Sequence, residues 1–401
     1  MNFSQLTGNE GLFCDGDWIE KKDQDVDGNV RLIQLADIGE GTFKDKSSRY
    51  LTEDTARRLN CTFLQQGDIL IARLPDPLGR ACIFPLNGKF ITAVDIAILR
   101  IKDCAYNPRY VMYMVNSPQF RKEISRYESG TTRKRISRKN LDKIQFNVSD
   151  LPTQEHIVSK IEELFSKLDA SVAELQTAKE KLKVYRQAVL EASLPYDSFG
   201  AISQYIESMG QGWSPKCANK NSIDDDVWAV IKTTAVQHGY FDYTENKILP
   251  DNLEPRNQHE ISVGDILITR AGPRSRCGVC CLVRKTKQRL LNCDKVYQIK
   301  PNRNKILPEY MEYVLNSPRF LLEINHCKTG GNDSGVNLTQ SRFLTIKIPV
   351  PSLYIQKKIV EQIESRLSMC DSIEQTVDIS LQQAETLRQS ILKQAFEGRL
   401  V

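Results

Sequence analysis

Residues 156–194, HIVSKIEELFSKLDASVAELQTAKEKLKVYRQAVLEASL, return as residues 358–396, KIVEQIESRLSMCDSIEQTVDISLQQAETLRQSILKQAF, so that each position i recurs at i+202 without a gap. The register sets Ile157 against Ile359, Val158 against Val360, Asp169 against Asp371, and Arg186-Gln187 against Arg388-Gln389. A self-similarity of this extent decides the architecture before any single element is read.

Working upstream, Tyr110-Val-Met-Tyr-Met-Val-Asn-Ser-Pro-Gln-Phe120 returns 200 places on as Tyr310-Met-Glu-Tyr-Val-Leu-Asn-Ser-Pro-Arg-Phe320. Gly67-Asp68-Ile-Leu-Ile-Ala-Arg73 returns 197 places on as Gly264-Asp265-Ile-Leu-Ile-Thr-Arg270. The offset drifts only through loops. Stretches such as 44–60 and 242–258 are not visibly alike, so one scaffold carries two different surfaces.

Inside the repeated segments, Ile161, Leu168, Leu175, Leu182 and Val189 lie seven apart, with Ile157, Leu164, Ser171, Ala178 and Tyr185 at the companion heptad position. That spacing predicts a coiled-coil seam. The second segment answers with Ile363, Cys370, Val377, Ala384 and Ile391 against Ile359, Arg366, Ile373, Ser380 and Leu387, a weaker seam. Pro195 ends the first helix and Gly398 suits a left-handed cap on the second. A helix of about 40 residues spans about 60 Å. Such a seam has to be buried, and the economical partner for each helix is the other. The alternatives are that each helix packs back on its own domain or pairs between chains.

The expected fold class is therefore α+β: two similar mixed α/β domains in a pseudo-two-fold arrangement, separated by two long antiparallel coiled-coil helices. The expected boundaries are 1–150 and 196–350 for the domains, and 151–195 and 351–401 for the helices. Short β-branched and aliphatic runs at 30–35, 68–73, 90–101 and 141–148 are bounded by turn formers, as strands are. Around 108–126 the pattern turns helical, with Ser117 placed to cap and Pro118 in the first turn.

At 401 residues the chain exceeds one ordinary core. No apolar run reaches the length of a membrane span, and the start Met1-Asn-Phe-Ser-Gln-Leu lacks the basic and apolar regions of a signal peptide. A cytoplasmic protein is expected. The 11 cysteines are scattered, which suits reduced thiols. Net charge is only +5, but residues 121–143 hold nine Lys/Arg against three Asp/Glu, and residues 256–289 hold eight against two. Patches of that kind focus potential onto a phosphate backbone.

Two similar but unequal domains at a fixed separation fit the reading of two different half-sites on one DNA duplex. Arg73 and Arg80 flank one loop, and Arg270, Arg274 and Arg276 flank its counterpart; arginine offers bidentate contact to guanine or phosphate. Arg133, Lys134, Arg135, Arg138 and Lys139 follow Gly130-Thr-Thr as a backbone clamp would. The corresponding stretch has lost its charges and keeps Asn332, Ser334 and Asn337. For each arginine the plainer reading is a surface charge.

The duplicated halves, the Asn-Ser-Pro-x-Phe helices at 116–120 and 316–320, the Gly-Asp-Ile-Leu strands, the approach Leu151-Pro-Thr-Gln154-Glu-His-Ile157 and the ending Gln394-Ala-Phe-Glu-Gly398-Arg-Leu-Val401 together resemble the specificity subunits of Type I restriction-modification systems. The resemblance covers essentially the whole chain. It implies two target-recognition domains and a helical spacer, with no catalytic activity and no cofactor of the subunit's own. It further implies double-stranded DNA as ligand, with two modification subunits and the restriction subunits as partners. S-adenosylmethionine, ATP and Mg would then sit only on those partners. Exposed positions such as Glu162, Lys167 and Lys183 are candidates for the docking surface of those partners, and their plainer reading is as solvated coiled-coil flanks.

Catalytic alternatives leave weaker traces. Asn107-Pro108-Arg109-Tyr110 is one residue from the Asn-Pro-Pro-Tyr motif of amino-methyltransferases, but its repeat partner is Leu307-Pro308-Glu309-Tyr310. Asp37-Ile-Gly39-Glu-Gly41 is too short for a cofactor loop and leads into no helix. Asp17, Glu20 and Lys22 have roughly the composition of a metal-dependent nuclease site, but nothing in the sequence brings them together, and an exposed acidic loop is the plainer reading. Cys277, Cys280, Cys281 and Cys293 have partial zinc spacing but read better as buried strand cysteines. The competing non-catalytic reading is a coiled-coil scaffold with duplicated protein-binding domains.

Overall fold

The strand Ile69–Ala72 is buried along its whole length, because its two faces serve two different cores. Ile69 and Ile71 pack with Tyr110, Val111, Met114, Phe120 and Ile124, while Leu70 and Ala72 pack with Ile33, Ile38, Leu64 and Phe84. A run of four apolar residues with no polar alternation is what such a two-sided strand requires. Gly67, with φ +95°, makes the left-handed turn that feeds it, and Gly264, with φ +96°, does the same in the repeat.

The computed structural model describes all residues except Asp76, Tyr196, Ala218 and Val401. The chain divides into one unit of Met1–Gln176 with Asp378–Val401 and a second of Thr177–Val377. In the first unit the strands are β1 (Leu12–Asp15), β2 (Val30–Ile33), β3 (Arg49–Leu51), β4 (Ile69–Ala72), β5 (Ala81–Ile83), β6 (Phe90–Thr92) and β7 (Ile96–Arg100). The larger sheet runs β1-β7-β4-β5 with antiparallel neighbours. The smaller runs β3-β2-β6, with β6 parallel to β2.

The second unit repeats both sheets. Cys280–Leu282, Ile266–Thr269, Val296–Pro301 and Ile206–Gln211 form the larger, and Asn246–Ile248, Ala229–Ile231 and Leu290–Leu291 the smaller, again with one parallel pair. Ile266 and Ile268 face one core and Leu267 the other, as in the first unit.

The helix pairs behind the larger sheets start where the sequence places them. Asn107 accepts from the amides of Arg109 and Tyr110, so the asparagine of the methyltransferase-like tetrapeptide is spent on a cap. Ser117 caps Pro118–Tyr127, accepting from Phe120 at 3.3 Å. Gly398 has φ +70°, just past the end of the second long helix.

Those long helices are Leu151–Ser193 and Leu353–Phe396. Each is anchored at its start by a fully buried glutamine. Gln154 accepts from the Asn107 amide at 2.8 Å and donates to the carbonyls of Ala105 and Ser149. Gln356, its repeat, accepts from Leu307 at 2.9 Å and donates to Lys305 and Pro351. One amide thus closes three backbone groups in each unit, groups that burial would otherwise leave unpaired.

Within the first unit Ile157, Val158 and Ile161 share a core with Ile391, Leu392 and Ala395, and Asp169 pairs with Arg388. Within the second, Val189, Leu190 and Leu194 share a core with Ile359, Val360 and Ile363, and Arg186 pairs with Asp371. In each unit, then, the segments run antiparallel and also pack on the adjoining domain. Burying each of the Val, Leu and Ile side chains among these stabilises by about 1.5–3 kcal/mol.

The main heptad row is buried on the second helix at Ile363, Cys370, Val377, Ala384 and Ile391. On the first, Ile161 and Val189 are buried while Leu168, Leu175 and Leu182 are half-buried. The companion row differs from the sequence expectation. Tyr185, Ile373 and Leu387 are exposed, at 49%, 44% and 49%. Half-buried residues lie one place further on, at Phe165, Val172, Lys179 and Arg186 and at Leu367, Glu374, Leu381 and Arg388. The cause is geometric. Ile157 and Ile359, which set the expected row, are buried where the helices adjoin the domains, while the row facing the other helix follows four residues behind the main one. Leu164 remains half-buried beside Phe165.

Candidate nucleic-acid interface

Both domains present a hairpin docked onto a framework arginine. In the first, Ser129 and Arg135 exchange backbone hydrogen bonds at 2.9 and 2.8 Å, and Gly130 turns the chain with φ +97°. A Cβ there would stand 2.4 Å from the Arg133 carbonyl, so the turn needs glycine. Just past the hairpin, the Ile136 amide donates to the Arg73 carbonyl at 3.1 Å. In the second, Lys328–Thr329 and Val336–Leu338 form the hairpin, and the Leu338 amide donates to the Arg270 carbonyl at 2.7 Å.

The two framework arginines occupy the same place. Arg73 donates from its backbone to Asp95 and from its guanidinium to the Val94 carbonyl; Arg270 donates to Lys295 and Asp294 in the same way. The Nε of each is buried without a hydrogen-bond partner among the described residues. Arg73 also pairs with Asp15 at 3.1 Å, and Arg138 meets the same carboxylate at 3.3 Å while lying over the Phe13 ring. Arg270 instead lies 5.3 Å from the Tyr297 ring centroid.

The tips differ. Arg133, Lys134, Arg135 and Lys139 are exposed in the first unit, with Lys134 paired to Glu128. In the second, Asn332, Ser334 and Asn337 are exposed and uncharged, and Asn332 accepts from the Ser334 amide. Arg274 fastens this tip, donating from its backbone to the Asp333 carbonyl and from Nε to the Asp333 carboxylate at 2.6 Å. Burial pushes the nearby Lys328 ammonium down, and it donates to the Arg274 carbonyl at 3.2 Å.

Arg80 and Arg276 take a different part. The Arg80 side chain is buried and donates to the carbonyls of Leu35, Ile38, Leu74 and Pro77. Arg276 donates to the carbonyls of Thr233 and Val236 and to Gln237. Strand register makes Leu35 equivalent to Thr233 and Ile38 to Val236. Arg80 and Arg276 are not themselves equivalent, since Ala81 matches Cys280. Two arginines from different sequence positions therefore hold the same turn, and each positions a loop rather than offering its guanidinium outward. Sequence reasoning missed Arg121, which holds the first loop through the Leu78 carbonyl and Asn116 and is pushed down to about 10 by burial, opposed by Glu40.

The residues weighed for catalysis do not assemble. Asp17 accepts from the Thr62 amide and Glu20 pairs with exposed Lys22 at 2.7 Å. Cys277, Cys280, Cys281 and Cys293 are buried, and burial pushes their thiols up, Cys293 to about 11. Among the described residues, no group of three or more His, Cys, Asp or Glu is arranged to hold a metal, and no helix is long and apolar enough to cross a membrane.

The family model of the Type I restriction modification DNA specificity domain matches twice, at residues 13–180 and 212–383. The chain belongs to that family. It is 38% identical over 172 residues to the Type I restriction enzyme EcoEI specificity subunit of Escherichia coli, covering 43% of this chain and 29% of that one. To the EcoKI specificity subunit of Escherichia coli K12 it is 26% identical over 313 residues, covering 73% and 65%. The chain thus spans less than two thirds of the length of these relatives.

Among solved structures, one described as the basis of complex assembly and conformational transition of the type I R-M system superposes with a TM-score of 0.72 at 15% identity, covering 100% of this chain and 97% of that one. The HsdS subunit from Thermoanaerobacter tengcongensis superposes at 0.53 and 14% identity, covering 98% of each. At that identity the likeness is one of fold, and it bears out two mixed α/β domains with two long helices. The two family matches fall one on each copy of the repeat, so the duplication read from sequence is a duplication of the specificity domain.

Proposed function

We propose that this chain is the non-catalytic DNA-recognition subunit of a Type I restriction-modification complex, reading a bipartite, asymmetric site with one half-site per domain. The observation that carries this reading is the pair of hairpins: docked on equivalent arginines by equivalent hydrogen bonds, yet unlike at their exposed tips. A shared frame with divergent polar tips suits two readers of different sequences.

Double-stranded DNA is then the ligand. Two modification subunits carry S-adenosylmethionine and methylate adenine, and restriction subunits use ATP and Mg to translocate and cut. The complex acts in the cytoplasm. Exposed apolar side chains on the long helices, such as Val184, Met369 and Ile379, at 70%, 66% and 48%, support docking of the modification subunits there. The same side chains would suit the scaffold reading, but that reading gives the exposed cations of the first hairpin no role.

Exchange of residues 1–150 for the equivalent domain of another specificity subunit tests the proposal. Mapping of methylated adenines in cells carrying the modification partner should show one half of the site changed, with the other half and the spacing kept. A change in both halves, or no methylation signal dependent on the chain, overturns it.

A further inference from the structure

The second unit holds a cleft of about 460 Å³ whose wall carries Lys216, Lys232, Lys247 and Lys295. They converge from four separate places: the loop after Ile206–Gln211, the end of Ala229–Ile231, the middle of Asn246–Ile248, and the turn before Val296–Pro301. Acidic groups answer only part of this charge. Glu245 meets Lys232 at 3.4 Å, and Asp294, in the same wall, has its carboxylate bonded to the Ser214 hydroxyl. Among the described residues, no carboxylate stands at ion-pair distance from Lys216, Lys247 or Lys295.

The first unit lacks this excess of positive charge at the equivalent positions. Strand pairing makes Lys232, Lys247 and Lys295 equivalent to Gln34, Arg49 and Asp95. Three positions that sum to zero in one domain sum to +3 in the other. At the hairpins the change runs the other way, since Arg133, Lys134 and Arg135 have no cationic counterpart between residues 330 and 337.

Like charges gathered around one concavity repel, and an anion relieves the repulsion while releasing its own counterions. Arg270 joins this wall to the hairpin, since its guanidinium donates to the Asp294 carbonyl. Lys247 acts into the cleft, opposing the rise that burial gives the Cys217 thiol.

We infer that the cleft bearing Lys216, Lys247 and Lys295 grips the phosphate backbone of the duplex read by the second domain, as the clamp-like Arg133–Arg135 run would in the first. This rests on the DNA-reading function proposed above and adds that the two domains hold the backbone with different elements. Each ammonium serves as a point charge for a phosphate, and the tip of Asn332, Ser334 and Asn337 is left to the base edges.

The test measures binding of the full chain to a pool of random-sequence duplexes across a salt series. The triple variant Lys216→Ala, Lys247→Ala, Lys295→Ala should flatten the slope of log affinity against log salt by about 2–3, at about 0.9 for each phosphate left without its ammonium. The corresponding Lys→Arg triple variant should keep the slope. Wild-type binding that is salt-sensitive, with an unchanged slope in the alanine variant, overturns the lysine assignment alone. Wild-type binding without salt sensitivity overturns the DNA-reading proposal and this inference together. Acetylation of wild-type protein supplies a readout independent of variant folding. Saturating duplex should lower labelling of Lys216, Lys247 and Lys295 several-fold, and unchanged labelling at all three overturns the assignment.

Discussion

Arg186 on the first long helix donates to Asp371 on the second at 2.7 Å, and the repeat equivalents exchange places: Arg388 on the second helix reaches Asp169 on the first. The same ion pair is thus made twice, once in each unit, with the two helices swapping donor and acceptor. Arg186 additionally reaches Glu374 at 2.9 Å. Asp371 is mostly exposed, so its pairing is screened and should contribute about 0.2–1 kcal/mol in a double-mutant cycle with Arg186→Ala. Glu374 is less exposed, and its coupling to Arg186 should be the larger. Urea unfolding of the two cycles checks the order; equal couplings would show that burial does not govern these pairs.

Gln154 and Gln356 each satisfy three backbone groups, all in structure that joins a domain to its helix. Gln154→Ala should destabilise its unit by about 2–4 kcal/mol, since the amide and two carbonyls lose their partners in a buried site. Gln154→Glu should be little better, because a carboxylate facing two carbonyl oxygens has nothing to donate. Chemical denaturation of the Gln154 and Gln356 variants should give matching losses. A loss below about 1 kcal/mol would mean that water replaces the side chain.

Asp17 supplies a pH dependence. Burial raises its carboxyl to about 6, with hydrogen bonds from Thr62 and Cys61 opposing. A carboxyl raised above its unfolded value binds its proton more tightly in the folded state, so it destabilises the fold at pH values above the folded value. That destabilisation fades as pH falls through about 6 towards the ordinary carboxylate range. Asp17→Asn should therefore raise Tm at pH 8, with the gain over wild type shrinking by pH 5. A gain that is flat with pH would assign the effect to packing.

Arg80 and Arg133 separate positioning from contact. Arg80→Lys cannot bridge carbonyls on two loops with a single ammonium, so DNA affinity should fall while the salt slope stays unchanged. Arg133→Ala should lower the slope by about 1, uniformly across sequences. A flattened slope for Arg80→Lys would place that guanidinium on the phosphate backbone after all.

How far the sequence carried these readings depends on the length scale of each signal. The duplication, the caps at Ser117 and Gly398, and the main row through Ile161 and Ile363 are local or strictly periodic, and all were legible. The companion row was not, because Arg186, Glu374 and Arg388 are polar residues that pair between the helices, whereas the exposed Tyr185, Ile373 and Leu387 looked like core. Arg80 and Arg276 stood beside the right loops, but only tertiary structure turns their side chains onto the carbonyls of a turn some forty residues away. The lysine cleft was out of reach, since its members are scattered from residue 216 to residue 295 and gather only when two sheets form.

The helices themselves make the last prediction. If the half-site spacing is set by their length, inserting one heptad into both at matched positions adds about 10 Å along the axis and turns the flanking segments by only about 20°. At 3.4 Å per base pair, that distance corresponds to about three base pairs. The main row repeats every seven residues on both helices, so the insertion keeps Ile161, Val189, Ile363 and Ile391 in register. The methylated site of the doubly inserted protein should keep both half-sites and carry a gap about three base pairs longer. Insertion into one helix alone should break the pairing of Arg186 with Asp371 or of Arg388 with Asp169 and lower Tm. A doubly inserted protein that folds and methylates at the original spacing would show that the half-site spacing is fixed elsewhere than in helix length.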